Sequence, residues 1–220
     1  MPYDVIVVPG FRGSEPEHWQ SWLQEELPGA RRVSRVDWHN PTLYHWTTQV
    51  VRAIDESENP VILVAHSFGS LVSTLAIRNR RQRVAGAFLV APADPERFGL
   101  FGVRSANREL EASIARYLPD SALGVPGTVI ASENDPWMKL PHAYAWARRW
   151  GLNFHNAGKV GHINVDSGHG PWPLIKELVE QFIGSLGHQI PEEQGNLYSR
   201  LAFSGTEGFA RLHDYRLLYA

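Results

Sequence analysis

The chain contains no cysteine. That excludes disulfides, thiolate metal sites and a cysteine nucleophile. It also lacks a charge excess. Its 21 Lys and Arg face 23 Asp and Glu across 220 residues, for a formal net charge of −2. A dedicated binder of nucleic acid needs a basic surplus, so nucleic acid is not an expected partner. Long apolar runs are missing too. The longest, from Val84 to Ala93, is half of what a bilayer-spanning helix needs, so no membrane insertion is expected. The N-terminal segment from Met1 to Gly10 has no basic start and only a short apolar run, which makes the cytoplasm the expected location. No P-loop, no Gly-x-Gly-x-x-Gly after a strand and no His-x-x-x-His pair is present, so neither a nucleotide cofactor nor a metal is expected.

What remains is ordinary globular composition, 43% hydrophobic and 20% charged, at a length that suits one sizeable domain. Short β-branched runs fall at residues 4–8, 32–37, 61–65, 84–90, 128–131 and 152–156. Several are apolar on both faces, as in a parallel sheet covered by helices. Helical spacing of apolar residues predicts helices at 15–27, 44–55, 67–80, 140–150 and 172–186. This alternation predicts an α/β architecture, a compact doubly wound and mostly parallel sheet of about six strands with helices on both faces. The ligand site of such a sheet lies beyond the C-terminal ends of its strands.

Two segments break the rhythm. Residues 94–126 are long for a connection and carry an expected helix at 107–117 and a Phe/Gly stretch at 98–103. They are expected either to cover the site or to pack on the sheet edge. After residue 186 the composition shifts, which bounds a domain at 1–186 and an extension at 187–220. Residues 191–195 read as a linker. Beyond them Phe209, Leu212, Tyr215 and Leu218 recur every third residue, the mark of a short amphipathic helix. That helix is expected to dock on the body, to dock on a second copy or to stay flexible, which leaves monomer and homodimer both open.

The sharpest local signal is Ala65-His66-Ser67-Phe68-Gly69, with a buried strand before it and a helix after it. This is the small-x-Ser-x-Gly nucleophile elbow, with Ala65 in place of the usual first glycine. The serine of an elbow sits in a strained turn, and bulk two residues to either side collides with neighbouring elements. The alternative role for Ser67 is a helix N-cap. A serine nucleophile needs a base and an orienting acid, which follow it in chain order as acid and then histidine. His162 lies in a Gly-rich loop at the right end of the chain and is the natural base. Asp135, in Asn134-Asp135-Pro136, and Asp94 each follow a strand and both qualify as the acid, with Asp166 a weaker choice. Among the other histidines, His66 should point away from the serine on a tight turn. His142 starts a helix and His169 follows His162. His18, His39 and His45 precede the serine, against the expected order. For the oxyanion hole, one backbone N–H is expected from Phe68 and the other from the loop after the first strand, at Phe11.

The chain resembles the small single-domain serine hydrolases grouped with bacterial YdeN proteins and mammalian retinoblastoma-binding protein nine. The resemblance rests on Val8-Pro9-Gly10-Phe11, Glu17-His18-Trp19-Gln20, Asp37-Trp38-His39-Asn40-Pro41 and the elbow. It continues through Ser132-Glu133-Asn134-Asp135-Pro136 and Gly161-His162-Ile163-Asn164-Val165-Asp166-Ser167-Gly168, leading into Gly170-Pro171-Trp172-Pro173. The resemblance implies an α/β-hydrolase fold with little or no lid and a triad of Ser67, Asp135 and His162, which selects Asp135 over Asp94. The mammalian relative's partner-binding motif requires a cysteine, so that interaction is not carried over. Trp137 is bulkier than the family's usual residue and is expected to narrow the pocket.

The expected activity is cofactor-free cleavage of small carboxylic esters, or of short peptide or amide bonds, through an acyl-enzyme on Ser67. The expected partner is a small-molecule ester or amide. Phe11, Phe68, Trp137 and Phe101 are expected to wall an apolar acyl pocket. The rival readings are a non-catalytic binding module on the same scaffold and an acyltransferase using the same triad.

Overall fold

A computed structural model of the chain describes residues 3–104 and 112–187. Six strands form one sheet: β1 (Asp4–Val8), β2 (Arg31–Arg32), β3 (Val61–His66), β4 (Val84–Val90), β7 (Gly127–Ala131) and β8 (Asn153–Asn156). A separate antiparallel hairpin pairs β5 (Phe98–Gly99) with β6 (Gly102–Val103). The main sheet runs in the order β2-β1-β3-β4-β7-β8, and every pairing in it is parallel. The helices are α1 (Trp19–Glu26), α2 (Leu43–Asp55), α3 (Phe68–Arg80), α4 (Leu140–Trp150) and α5 (Pro173–Gly187).

The sheet is buried on both faces because its central strands are apolar at nearly every position. Ile6, Val8, Val61, Leu63, Ala65, Ala87, Leu89 and Val129 join one core with residues of α2 and α3 and with Trp150 of α4. The alternate residues Val5, Val7, Ile62, Val64, Phe88, Val90 and Ile130 are equally buried and face the opposite way. On that side Phe182 of α5 packs edge-on against Phe88, with ring centroids 5.6 Å apart. Glycine at position 86 makes room for it, since a Cβ there would stand 2.3 Å from the Phe182 ring.

The chain first steps from β1 outward to β2 and then crosses back to β3 and onward. The direction of winding therefore reverses between β1 and β3. Doubly wound sheets bind ligands beyond the C-terminal ends of their strands at such a reversal.

Several sequence expectations need correction. The strand expected at 32–37 is only Arg31–Arg32, closed by a last bond from Val33 N–H to Val7 O at 3.0 Å. Arg35 then takes a left-handed conformation (φ 62°) and turns the chain away. The helix expected from residue 15 begins at Trp19, because residues 15–18 form a turn closed by His18 N–H to Glu15 O. Of the helix expected at 107–117, residues 107–111 lie outside the described residues, and Ile114–Tyr117 is a single 3₁₀ turn. The expected tail helix and linker also lie outside them. The chain divides into a compact unit, Met1–Ile183, and a second, Gly184–Ala220, of which only the end of α5 is described. Among the described residues no helix is long and apolar enough to cross a membrane.

Candidate active site

Ser67 occupies the turn between β3 and α3 with φ 53° and ψ −124°, a conformation that side-chain-bearing residues rarely adopt. Its side chain makes no N-cap hydrogen bond to α3, so the capping role is not the one it plays. The small neighbours are required. A Cβ at Gly69 would lie 2.4 Å from Val8 O and 2.3 Å from Pro9 O, the end of β1. A Cβ at Gly10 would lie 2.7 Å from the Ser67 Cβ. The loop after β1 therefore presses directly on the serine, and only glycine at position 10 permits that contact.

The His162 imidazole bridges two groups. Its Nε2 is 2.9 Å from Ser67 Oγ, and its Nδ1 is 2.9 Å from each carboxylate oxygen of Asp135. A carboxylate only accepts, so Nδ1 carries the proton and Nε2 is free to accept from the serine hydroxyl. The two side chains are almost sealed from solvent, at 8% exposure for His162 and 2% for Asp135. Asp135 Oδ1 also accepts the Trp137 N–H at 2.8 Å, which fixes the carboxylate.

The rival acid is elsewhere. Asp94 caps a short 3₁₀ turn by accepting the Glu96 N–H at 3.0 Å, and it faces His142 at 3.7 Å. Asp166 lies on another such turn at Val165–Ser167. His142 is exposed, His45 touches Arg35 O, and the His39 N–H is bound by Asp37.

The base loop is held at several points by the residues that carry the family resemblance. Ser132 Oγ accepts the Val160 N–H at 3.1 Å, and Asn134 Oδ1 accepts the Gly161 N–H at 2.8 Å. Trp19 Nε1 donates to Ile163 O at 2.8 Å. His66 Nε2 donates to His162 O at 2.9 Å. His66 does point away from Ser67 in the alternation of β3, but its ring reaches under the base loop and stands 4.9 Å from the His162 ring. On its other side lies His18, 5.0 Å away. Both histidines are nearly inaccessible, and burial is the leading reason their pKa values fall. His18 is lowered to about 3 and His66 well below its ordinary value, with the neighbouring imidazoles and, for His18, Arg32 adding to the effect. They are neutral structural supports.

Gln20 belongs to the motif at 17–20, to which the sequence assigns no role of its own. Buried on α1, it donates from Nε2 to Val8 O at 3.2 Å and to Val64 O at 3.1 Å, while its Oε1 accepts from Ser14 at 2.7 Å. One amide thus ties the ends of β1 and β3 together. The available signal was a polar residue on the apolar face of α1, beside Trp19 and Leu23.

Phe68 follows Ser67 and Phe11 follows Gly10, which presses on Ser67, and neither N–H is taken up by a hydrogen bond among the described residues. The Phe68 N–H is the first of α3, whose helix dipole favours negative charge there. Their side chains differ from expectation. Phe68 is fully buried between Trp46 and Phe98, at 5.1 and 4.7 Å, so its ring belongs to the core and lines no pocket. Phe101 is 77% exposed at the tip of the β5–β6 hairpin, where the two-residue turn carries it into solvent. Trp137 is half-buried with its ring 5.9 Å from His162, beside the centre. Among the described residues no group of three or more His, Asp or Glu is arranged to hold a metal ion.

A wholly parallel sheet with a strained serine at its winding reversal defines an α/β-hydrolase. The serine hydrolase family model matches residues 5–181, and the chain belongs to that family of enzymes. A protein from Pectobacterium atrosepticum described as a YdeN-like hydrolase is 33% identical, with 86% of this chain and 93% of that one covered and a TM-score of 0.74. The ydeN gene product of B. subtilis is 19% identical, covers 83% and 99%, and superposes with a TM-score of 0.63. Mouse alpha/beta hydrolase domain-containing protein 10 is 16% identical, covers 84% and 91%, and gives 0.62. These last two share the fold. A search of curated protein sequences finds no match.

Proposed function

We propose that the enzyme hydrolyses small carboxylic esters, and short amides by the same route, with Ser67 as nucleophile, His162 as base and Asp135 as its orienting acid. The observation that carries this is the imidazole of His162 held at 2.9 Å from both the serine oxygen and the carboxylate. Ser67 Oγ attacks the acyl carbon as its proton passes to His162 Nε2. The new imidazolium is stabilised by the buried Asp135 carboxylate. Negative charge on the former carbonyl oxygen is met by the N–H groups of Phe11 and Phe68 and by the start of α3. The leaving group takes the proton from Nε2, which frees alcohol or amine and leaves an acyl-Ser67. A water, deprotonated by the same nitrogen, then releases the acid and regenerates the serine.

Labelling with a fluorophosphonate probe tests this, since such probes react with serines already activated by a base. The expected adduct is on Ser67, found by mass spectrometry of the modified peptide and lost in His162→Ala. Ser67→Ala should lower kcat by a factor on the order of 10⁶. Folded protein that takes no label would refute the assignment.

A further inference from the structure

Two arginines beside this centre have no role in the scheme above. Arg97 is exposed on the segment leading into the β5–β6 hairpin. Its guanidinium carbon sits 5.0 Å from the ring centroid of Trp137, and Nη2 donates to Pro136 O at 2.6 Å. Trp137 in turn is the ring 5.9 Å from His162. The charge is thus held on the indole that neighbours His162.

Arg12 lies in the loop after β1. It follows Phe11 in a tight turn closed by Gly13 N–H to Gly10 O at 2.9 Å, and Gly10 presses on Ser67. Arg12 has φ 74° at the third position of this turn, a conformation that glycine adopts freely and other residues do not. Its guanidinium carbon stands 5.4 Å from the Phe11 ring. Strain of this kind persists where the side chain has a use.

Neither arginine has a carboxylate partner among the described residues, whereas Arg52, Arg80 and Arg104 each do. The acids beside Arg97 in the chain are engaged elsewhere. Asp94 caps its 3₁₀ turn and faces His142, and Glu96 faces Arg104 at 3.8 Å. A guanidinium stacked on a ring keeps its N–H edge free for an oxyanion, which it binds in a fork.

We infer that the enzyme prefers substrates whose acyl group ends in a carboxylate, which Arg97 and Arg12 receive at the mouth of the site. This rests on the reading of Ser67 as nucleophile. The test compares kcat/KM for mono-4-nitrophenyl adipate and 4-nitrophenyl hexanoate, equal in length and differing in a terminal carboxylate against a methyl. Wild type should favour the adipate about tenfold at low ionic strength, with the preference shrinking in high salt. Arg97→Gln and Arg12→Gly should each lower that preference about threefold, chiefly through KM. Glycine at position 12 relieves the backbone, so Arg12→Gly should do this while raising the melting temperature. Arg148→Gln, on the exposed end of α4, should leave the preference unchanged.

A wild type that treats the two esters alike, or a preference that survives in the Arg12→Gly/Arg97→Gln double variant, would overturn the inference. If neither ester turns over and Ser67 takes no probe, the nucleophile assignment itself fails, so the two failures are distinct.

Discussion

Acidification from pH 7 to pH 5 should weaken the fold before any carboxylate titrates appreciably, because two buried imidazoles cannot accept protons in place. His18 is 2% exposed and His66 4%. Burial is the main cause of both depressed pKa values, about 3 for His18 and well below ordinary for His66. In the unfolded chain both revert to about 6.5. A group with a depressed folded pKa lets the unfolded state bind more protons, so stability is complete above the unfolded pKa and falls as pH drops through the window below it. At pH 5 the unfolded His18 imidazole is almost fully charged, which costs the native state about 2 kcal/mol relative to pH 7, and His66 adds a loss of the same sign. His18 alone thus removes about 2 kcal/mol from a total that in most domains is about 5–15 kcal/mol. His155, also lowered by burial, acts with the same sign. Urea unfolding followed by tryptophan fluorescence at pH 7, 6 and 5 measures the loss. His18→Gln should reduce it by about 2 kcal/mol, whatever that variant's stability at pH 7. A loss below about 1 kcal/mol in wild type, or one unchanged in His18→Gln, would refute the reasoning.

Two further outcomes separate the parts of the site. Asp135→Asn should lower kcat by about 10⁴, since the amide cannot stabilise the imidazolium, while Asp94→Asn should leave kcat near wild type in an ester assay. Gly69→Ala should cost about 3 kcal/mol by chemical denaturation, because its Cβ would meet two backbone carbonyls at 2.3 and 2.4 Å that no side-chain rotation can clear.

The elbow was legible because sterics dictate it. Only small residues fit at positions 65 and 69, and a strand running into a helix across Ser67 has few other uses. The six-strand parallel sheet was legible for a similar reason, since strands covered on both faces must be apolar throughout. The choice between Asp135 and Asp94 was not open to local inspection, because both end strands in turns that suit a carboxylate. Only the tertiary path of the base loop brings His162 to one of them. Aromatic residues misled in both directions. Phe68 and Phe101 have the same side chain, yet one is sealed in the core and the other projects from a hairpin tip. Hydrophobicity does not distinguish those fates without knowledge of what packs above. Strand β2 ended early because Arg35 turns left-handed, which its residue type does not announce.

The amide of Gln20 has a consequence for how the enzyme begins each turnover. Its two bonds, to Val8 O and Val64 O, clasp the roots of the turns that carry Phe11 and Ser67. To spread those turns, the protein would have to break both bonds where no solvent can replace them, at about 1–3 kcal/mol for each carbonyl left bare. The spacing of the turns that carry Phe11 and Ser67 is thereby set when the chain folds. Substrate meets a preorganised pair of walls, and binding need not assemble them.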